Sequence, residues 1–401
     1  MTLTRDNLLK VVQSVVALVA FVAAVEIALR LAGIAYPPKM FTDPVVGLIY
    51  RPGTNFVYRE EGYADVQVNQ ESVRDVDWPL DKPADEFRIA VLGDSFVEAL
   101  QVPVEDRLTE QMADLLSHDA AFAGKKVRVM NFGMSGFGTG QEYLMLRERA
   151  AKYQPDIVVL AFLSGNDFSD NCRSLREHNQ RPFFEVRDGK LVLDDSFAKK
   201  RSWKDELARE LAAESRILQV TYEAKRDLRD LRGWAPETAQ KDGASRELEL
   251  NEYAYLPPET PAWKEAWQIT EQLLLAINDE SRKIGAKLLV VVMPNDDQMH
   301  PDPARRQQFA DHLKVDSLEY PNQRIMSFCR EHEIPALDLL PPMRTYGEEH
   351  GVYLHGFENT AMGRGHWNPA GHRLGAELIA AKIHEMRTAS GQSPSDAASG
   401  H

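Results

Sequence analysis

Five short apolar runs, separated by stretches of helical periodicity, set the strongest limit on how this chain can fold. They are Arg88-Ile-Ala-Val-Leu92, Val127-Arg-Val-Met130, Pro155-Asp-Ile-Val-Val-Leu-Ala-Phe162, Lys287-Leu-Leu-Val-Val-Val-Met293 and Pro335-Ala-Leu-Asp-Leu-Leu340. The third is apolar over six consecutive residues, the pattern of a strand covered on both faces. Helices are predicted at about 107–117, 141–152, 263–284, 321–331 and 369–387. Strand alternating with helix implies a parallel sheet with helices on both sides. In such sheets ligands bind beyond the carboxyl ends of the strands. Chemistry is therefore to be sought just after Leu92, Met130, Phe162, Met293 and Leu340.

The alternation breaks between about 170 and 260, which reads as an insertion. Within it, 183–197 suggests a small hairpin turning at Asp188-Gly189. The charged stretch 199–232 carries Leu207, Leu211, Leu218 and Tyr222 at near-helical spacing, as a solvated helix packed on a core would. A Pro-containing connection is expected over 233–261, and a disordered tail over 388–401. Pro37, Pro38, Pro44, Pro52 and Gly53 mark 36–87 as a linker leading into the main domain, 88–387.

The amino terminus departs from the rest. Val11 to Val25 is uncharged and follows Arg5 and Lys10, and only Glu26 and Arg30 carry charge between there and Ala35. As a helix the uncharged part spans roughly 22 Å, and 11–35 roughly 37 Å, against about 30 Å of hydrocarbon. The preferred reading is an uncleaved signal anchor over 11–35, with 1–10 cytoplasmic and the bulk of the chain exported to the periplasmic side of the inner membrane. A cleaved signal peptide is the alternative, although Glu26 and Arg30 stand where a small-residue cleavage site is wanted.

Composition excludes several classes. Lys and Arg total 47 against 61 Asp and Glu, a formal charge of −14, so the basic face that nucleic acid requires is not expected. Two cysteines, Cys172 and Cys329, exclude a disulfide-dense scaffold and a Cys₄ zinc site, and leave either one disulfide or two free thiols. The eleven histidines show no metal-binding spacing, and nothing calls for a cofactor.

The strand ends carry polar residues of particular kinds. After the first strand comes Gly93-Asp94-Ser95-Phe96, a serine on a strand-to-helix turn where a nucleophile can be held exposed, or a plain helix cap. After the second comes Asn131-Phe-Gly-Met-Ser-Gly136-Phe-Gly-Thr-Gly140, whose glycines let the backbone approach a ligand. After the third comes Ser164-Gly165-Asn166-Asp167, where an amide NH₂ can face an oxyanion. Before the last helix comes Gly365-His366-Trp-Asn-Pro-Ala-Gly371-His372, with His366 on a loop where it can act as a base and His372 inside the helix as a structural residue.

Together and in this order, these blocks resemble the SGNH hydrolases, also called the GDSL family of esterases and lipases. The resemblance covers about 88–168 and 263–385. It implies a flavodoxin-like α/β/α sandwich and an acyl-enzyme mechanism. In that mechanism Ser95 is the nucleophile and His366 the base, and the oxyanion hole comes from the backbone of Ser95 and Gly136 and the side chain of Asn166. Gly93, Asp94 and Asp167 hold the loops. The expected substrate is an oxygen ester on a cell-envelope carbohydrate or lipid, and Val66–Arg74 with the membrane span looks like anchored envelope-polysaccharide members. One departure matters. The family places an Asp two or three residues before the base, where this chain has Arg364 and Gly363. Glu358 could supply the acid, the Gly363 carbonyl could orient a Ser–His dyad, or the site could be inactive. The implied activity is ester hydrolysis. The alternatives are O-acetyl transfer to a polysaccharide with the same residues, and a non-catalytic glycan-binding or scaffold subunit.

Overall fold

The structure, a computed structural model, describes residues 5–176, 180–199, 203–231 and 250–391. It divides into two compact units, 42–198 with 247–401, and 1–41 with 199–246.

The larger unit is built on a five-stranded sheet. Strands β1 (Met40–Asp43) and β2 (Gly47–Tyr50) form one small sheet, and β3 (Asn55–Tyr58) and β4 (Ala64–Gln67) an antiparallel hairpin. Then come β5 (Glu86–Gly93), β6 (Lys126–Gly133), β7 (Ile157–Leu163), the hairpin β8 (Phe183–Arg187) and β9 (Lys190–Asp194), and finally β10 (Lys287–Met293) and β11 (Ala336–Asp338). The central sheet runs β11-β10-β7-β5-β6 with every pairing parallel. Numbered by chain order within the sheet this is 2-1-3-4-5, the flavodoxin-like order, with its switch point between β5 and β7.

The sheet is the core. Every residue of β5 and β7 is buried. Ile89 and Val91 of β5 cluster with Leu108 and Met112 of helix Leu108–Ser117 and with Ile379 and Ile383 of helix Pro369–Gly391. Helix Pro261–Lys283 packs against β10 and brings in Trp267, which stacks on Phe168 with ring centroids 3.9 Å apart.

Several boundaries differ from the sequence reading. The linker assigned to 36–87 holds the strands β1–β4, each of four residues and set among prolines and glycines that mask so short a pattern. Helices Pro303–Leu313 and Leu340–His350 are additional to those predicted. In both, the prolines occupy the first turn, where a missing N–H costs nothing. The last helix continues to Gly391, so the tail begins later than 388, and 392–401 lie outside the described residues. Much of the 233–261 connection also lies outside them. Its last part is a 3₁₀ turn, Leu250–Tyr255, followed by a helix from Pro261. The hairpin turns at Asp188 and Gly189, both at positive φ (51° and 72°). Both cysteines are free and buried.

In the smaller unit, helix Arg5–Leu31 is apolar, with a mean hydropathy of 2.4 over its best window and none of that window buried. It is long and apolar enough to cross a membrane. The charged stretch after residue 199 forms two helices, Trp203–Glu214 and Arg216–Leu231, in place of one.

Candidate active site

The site lies at the carboxyl ends of β5, β6 and β7, beside the switch point. Strand β5 ends at Gly93 and the chain turns at once into the short helix Ser95–Glu98. A Cβ on Gly93 would stand 2.4 Å from the Val97 side chain, so only glycine permits this turn. Asp94 caps it, accepting the N–H of Phe96 at 3.0 Å. Ser95 is the first residue of the helix, and its hydroxyl meets His366 Nε2 at 2.9 Å.

His366 is held by the start of the last helix. Asn368 caps that helix by accepting the N–H groups of Ala370 (3.0 Å) and Gly371 (3.1 Å), and Trp367 is fully buried beneath it. His355 Nδ1 lies 2.6 Å from the Gly365 carbonyl, and Asp296 accepts the Gly365 N–H at 2.9 Å. The loop that carries the imidazole is thus tied on both sides of its peptide.

The second nitrogen of His366 meets Glu61. Glu61 Oε2 lies 2.5 Å from His366 Nδ1, and Oε1 accepts the His366 backbone N–H at 2.8 Å. Glu61 sits between β3 and β4, 305 positions before the histidine. Burial works to raise its pKa, but the bonds and charge of His366 outweigh that, and the carboxyl stays below its ordinary range. Gly365 makes room for it. Its φ is +82°, and a Cβ there would fall 2.2 Å from Glu61 Oε1. This corrects the sequence reading of the orienting group. Glu358 is exposed on a separate depression with Arg59, Tyr63 and Phe357. Gly363 uses its N–H on the His355 carbonyl, and His366 Nδ1 is taken by Glu61. The missing Asp near the histidine is matched by a carboxylate from the other end of the domain, which no local spacing could have revealed.

The groups read as oxyanion donors line the same open cleft as Ser95 and His366. Gly136 has φ +76°, and Arg181 Nη2 donates to its carbonyl at 2.5 Å, which fixes the peptide. The adjacent Ser135 donates both its N–H (2.7 Å) and its hydroxyl to Glu98 Oε2. Glu98 is fully buried, and burial pushes its pKa up. The helix of Ser95 and the loop of Gly136 are thereby tied to one carboxylate. Asn166 Nδ2 donates to Asp94 Oδ2 at 3.2 Å, which orients the amide and leaves one N–H for a ligand. Asp167 accepts the Leu163 N–H at 2.8 Å, holding the turn after β7. Burial raises Asp94 to about 6 and Asp167 well above its usual range. The cleft measures about 860 Å³, and its wall also includes Tyr58, Glu60, Gln101 and Arg176. Among the described residues, no group of three or more His, Cys, Asp or Glu could hold a metal ion.

The fold is an α/β sheet of flavodoxin-like order with a serine just after its first strand. Residues 256–399 match the family model described as "SGNH hydrolase-like domain, acetyltransferase AlgX". No curated protein matches it. Among solved structures it is similar to a lipase from goat rumen metagenome (13% identity, 74% of this chain and 98% of that one, TM-score 0.39). It is also similar to a GDSL-like lipase from Bacteroides thetaiotaomicron (12%, 76% and 88%, TM-score 0.32), and to a catalytic mutant of an acetylxylan esterase from Geobacillus stearothermophilus (12%, 74% and 94%, TM-score 0.35).

Proposed function

We propose that this protein is a serine acyl-transfer enzyme that removes or moves an acyl group, acetyl foremost, on a hydroxyl of a cell-envelope carbohydrate. It would work from the exported face of the membrane, with helix Arg5–Leu31 as its anchor. The observation that carries this reading is the continuous hydrogen-bonded chain from Ser95 through His366 to Glu61, open to a cleft.

The chemistry follows from the geometry. Glu61 accepts from Nδ1–H, so Nε2 carries the lone pair and accepts the Ser95 proton. The serine oxygen attacks the ester carbonyl, and the oxyanion is met by the N–H groups of Ser95 and Gly136 and by Asn166 Nδ2. Collapse expels the alcohol, which takes the proton from His366. Water or a sugar hydroxyl then gives its proton to His366 and attacks the acyl-enzyme, and Ser95 is released as it takes that proton from His366. Glu61 stabilises the imidazolium in both halves without leaving its place. The orienting carboxylate supports the active reading over the inactive one.

Hydrolysis and transfer use the same residues. The acetyltransferase description of the matched family favours transfer. The test is to incubate the full chain in detergent with an activated acetyl ester, with and without an oligosaccharide acceptor. Acetylated sugar above the free acetate made without acceptor supports transfer, acetate alone supports hydrolysis, and neither product from folded protein refutes the proposal.

A further inference from the structure

The smaller unit has a polar junction that the chemistry above does not use. Helix Trp203–Glu214 ends and helix Arg216–Leu231 begins with only Ser215 between them. Such a break leaves carbonyls of the first helix and amides of the second without helical partners. Two side chains of helix Arg5–Leu31 serve both. Glu26 Oε1 accepts the Arg216 N–H at 3.0 Å, and Oε2 accepts the Ile217 N–H at 3.1 Å and the Ser215 hydroxyl at 3.2 Å. Arg30, paired with Glu26 at 2.9 Å, donates to the Glu214 carbonyl at 2.6 Å. The buried Gln219 accepts the Tyr36 N–H at 2.9 Å and donates to the Ala213 carbonyl at 2.6 Å. An anion at a helix amino end and a cation at a carboxyl end are each the favourable sign. The two charges that interrupt the apolar segment are therefore matched to the two helix ends.

Their depth is set by length. The uncharged part, Val11 to Val25, rises roughly 22 Å, so Lys10 and Glu26 stand toward the two edges of about 30 Å of hydrocarbon. A charge pair bound to open backbone groups is costly inside hydrocarbon, so the junction marks the water boundary. The helices it holds carry Leu207, Leu211, Leu218, Tyr222 and Leu228 at 45 to 71% exposure. They are otherwise rich in charge, the make-up of helices that lie in a membrane interface.

We propose that helices Trp203–Glu214 and Arg216–Leu231 lie in the interfacial layer of a phospholipid bilayer, clasped by Glu26 and Arg30 at the carboxyl end of the spanning helix, with Leu218, Tyr222 and Leu228 against lipid. Lipid is the occupant because this face continues from a helix with no buried residue in the same unit. The proposal stands apart from the acyl chemistry and is tested without it.

The test reconstitutes the full chain in phosphatidylcholine–phosphatidylglycerol vesicles, with Tyr222→Cys carrying a polarity-sensitive dye. The native cysteines are buried and escape labelling. The expected result is apolar-type emission, quenched by nitroxide lipids labelled near the headgroup. Adding Glu26→Ala should move the dye into water and speed tryptic cleavage after Lys225 about five-fold. Phe21→Ala, an exposed position on the spanning helix, should change neither. A water-like dye in the vesicle-bound chain, or apolar emission that lipid quenchers do not reach, overturns the proposal, as does an unchanged Glu26→Ala readout. The dye readout on Tyr222→Cys alone is decisive should Glu26→Ala fail to fold.

Discussion

Replacing Glu61 by glutamine tests the account where it departs furthest from expectation. Both carboxylate oxygens accept a hydrogen bond from His366, one from Nδ1–H and one from the backbone N–H. Glutamine keeps the shape but offers one acceptor and one donor. If its oxygen takes the backbone N–H, its NH₂ faces Nδ1 and drives the proton to Nε2, and the imidazole can no longer receive the Ser95 proton. If its oxygen takes Nδ1–H, the NH₂ confronts the backbone N–H and the pair is pushed apart. Loss of the correct tautomer costs about 10⁴ in a serine-protease triad. The expected loss in kcat is about 10³ to 10⁴, or roughly 4 to 5.5 kcal/mol of transition-state stabilisation. KM should change little, because Glu61 does not line the cleft. Glu61→Asp keeps the charge at a shorter reach and should lose less. The assay is steady-state turnover of a short acyl ester by the detergent-solubilised full chain, with the thermal midpoint as a control for folding. A Glu61→Gln enzyme within about three-fold of wild-type kcat would refute the assignment of Glu61 as the orienting acid.

Other consequences follow from the same coordinates. Gly365→Ala should approach the loss of Glu61→Gln, since its Cβ would displace the Glu61 carboxylate and its φ of +82° is strained for alanine; the same ester assay reads it. Asn166→Ala should lower kcat by about 10² to 10³ with the nucleophile still in place, and slower reaction with a fluorophosphonate checks it. Glu98→Gln weakens the tie between the Ser95 helix and Ser135, so kcat should fall about ten-fold and the thermal midpoint should drop, because a buried acceptor of two bonds is disturbed. His372 is buried and held down to about 3, by burial first and then by Arg74. It stays neutral in the fold but protonates when unfolded, so its stabilisation is complete above about pH 6.5 and is lost as pH falls toward 3, with a slope of up to about 1.4 kcal/mol per pH unit. A His372→Gln chain should show a shallower acid loss of its thermal midpoint than the wild type.

What the chain reveals by itself follows a physical line. Apolar runs such as 157–163 and 288–293 are buried on both faces, so their composition alone marks them. The strand ends are legible for a related reason. A turn that must expose Ser95, pass over Val97 and enter a helix within three residues tolerates little besides Gly-Asp-Ser. The block around His366 is legible because the buried Trp367, the cap at Asn368 and the close approach of Gly371 to the Leu354 carbonyl are all short-range demands. Glu61 escapes because nothing local constrains it. It sits in a short hairpin within a segment rich in proline and glycine, and only tertiary packing brings it to the histidine. Helix Leu340–His350 is less legible, since proline is unfavourable in a helix interior yet well placed in the first turn.

Covalent trapping tests the central claim most directly. The purified full chain is treated with a fluorophosphonate and its peptides are mapped by mass spectrometry. A single adduct is expected, on the Ser95 hydroxyl, that is lost in Ser95→Ala and forms far more slowly in His366→Ala and Glu61→Gln. Folded wild-type protein that stays unmodified, or an adduct on another residue, would contradict it.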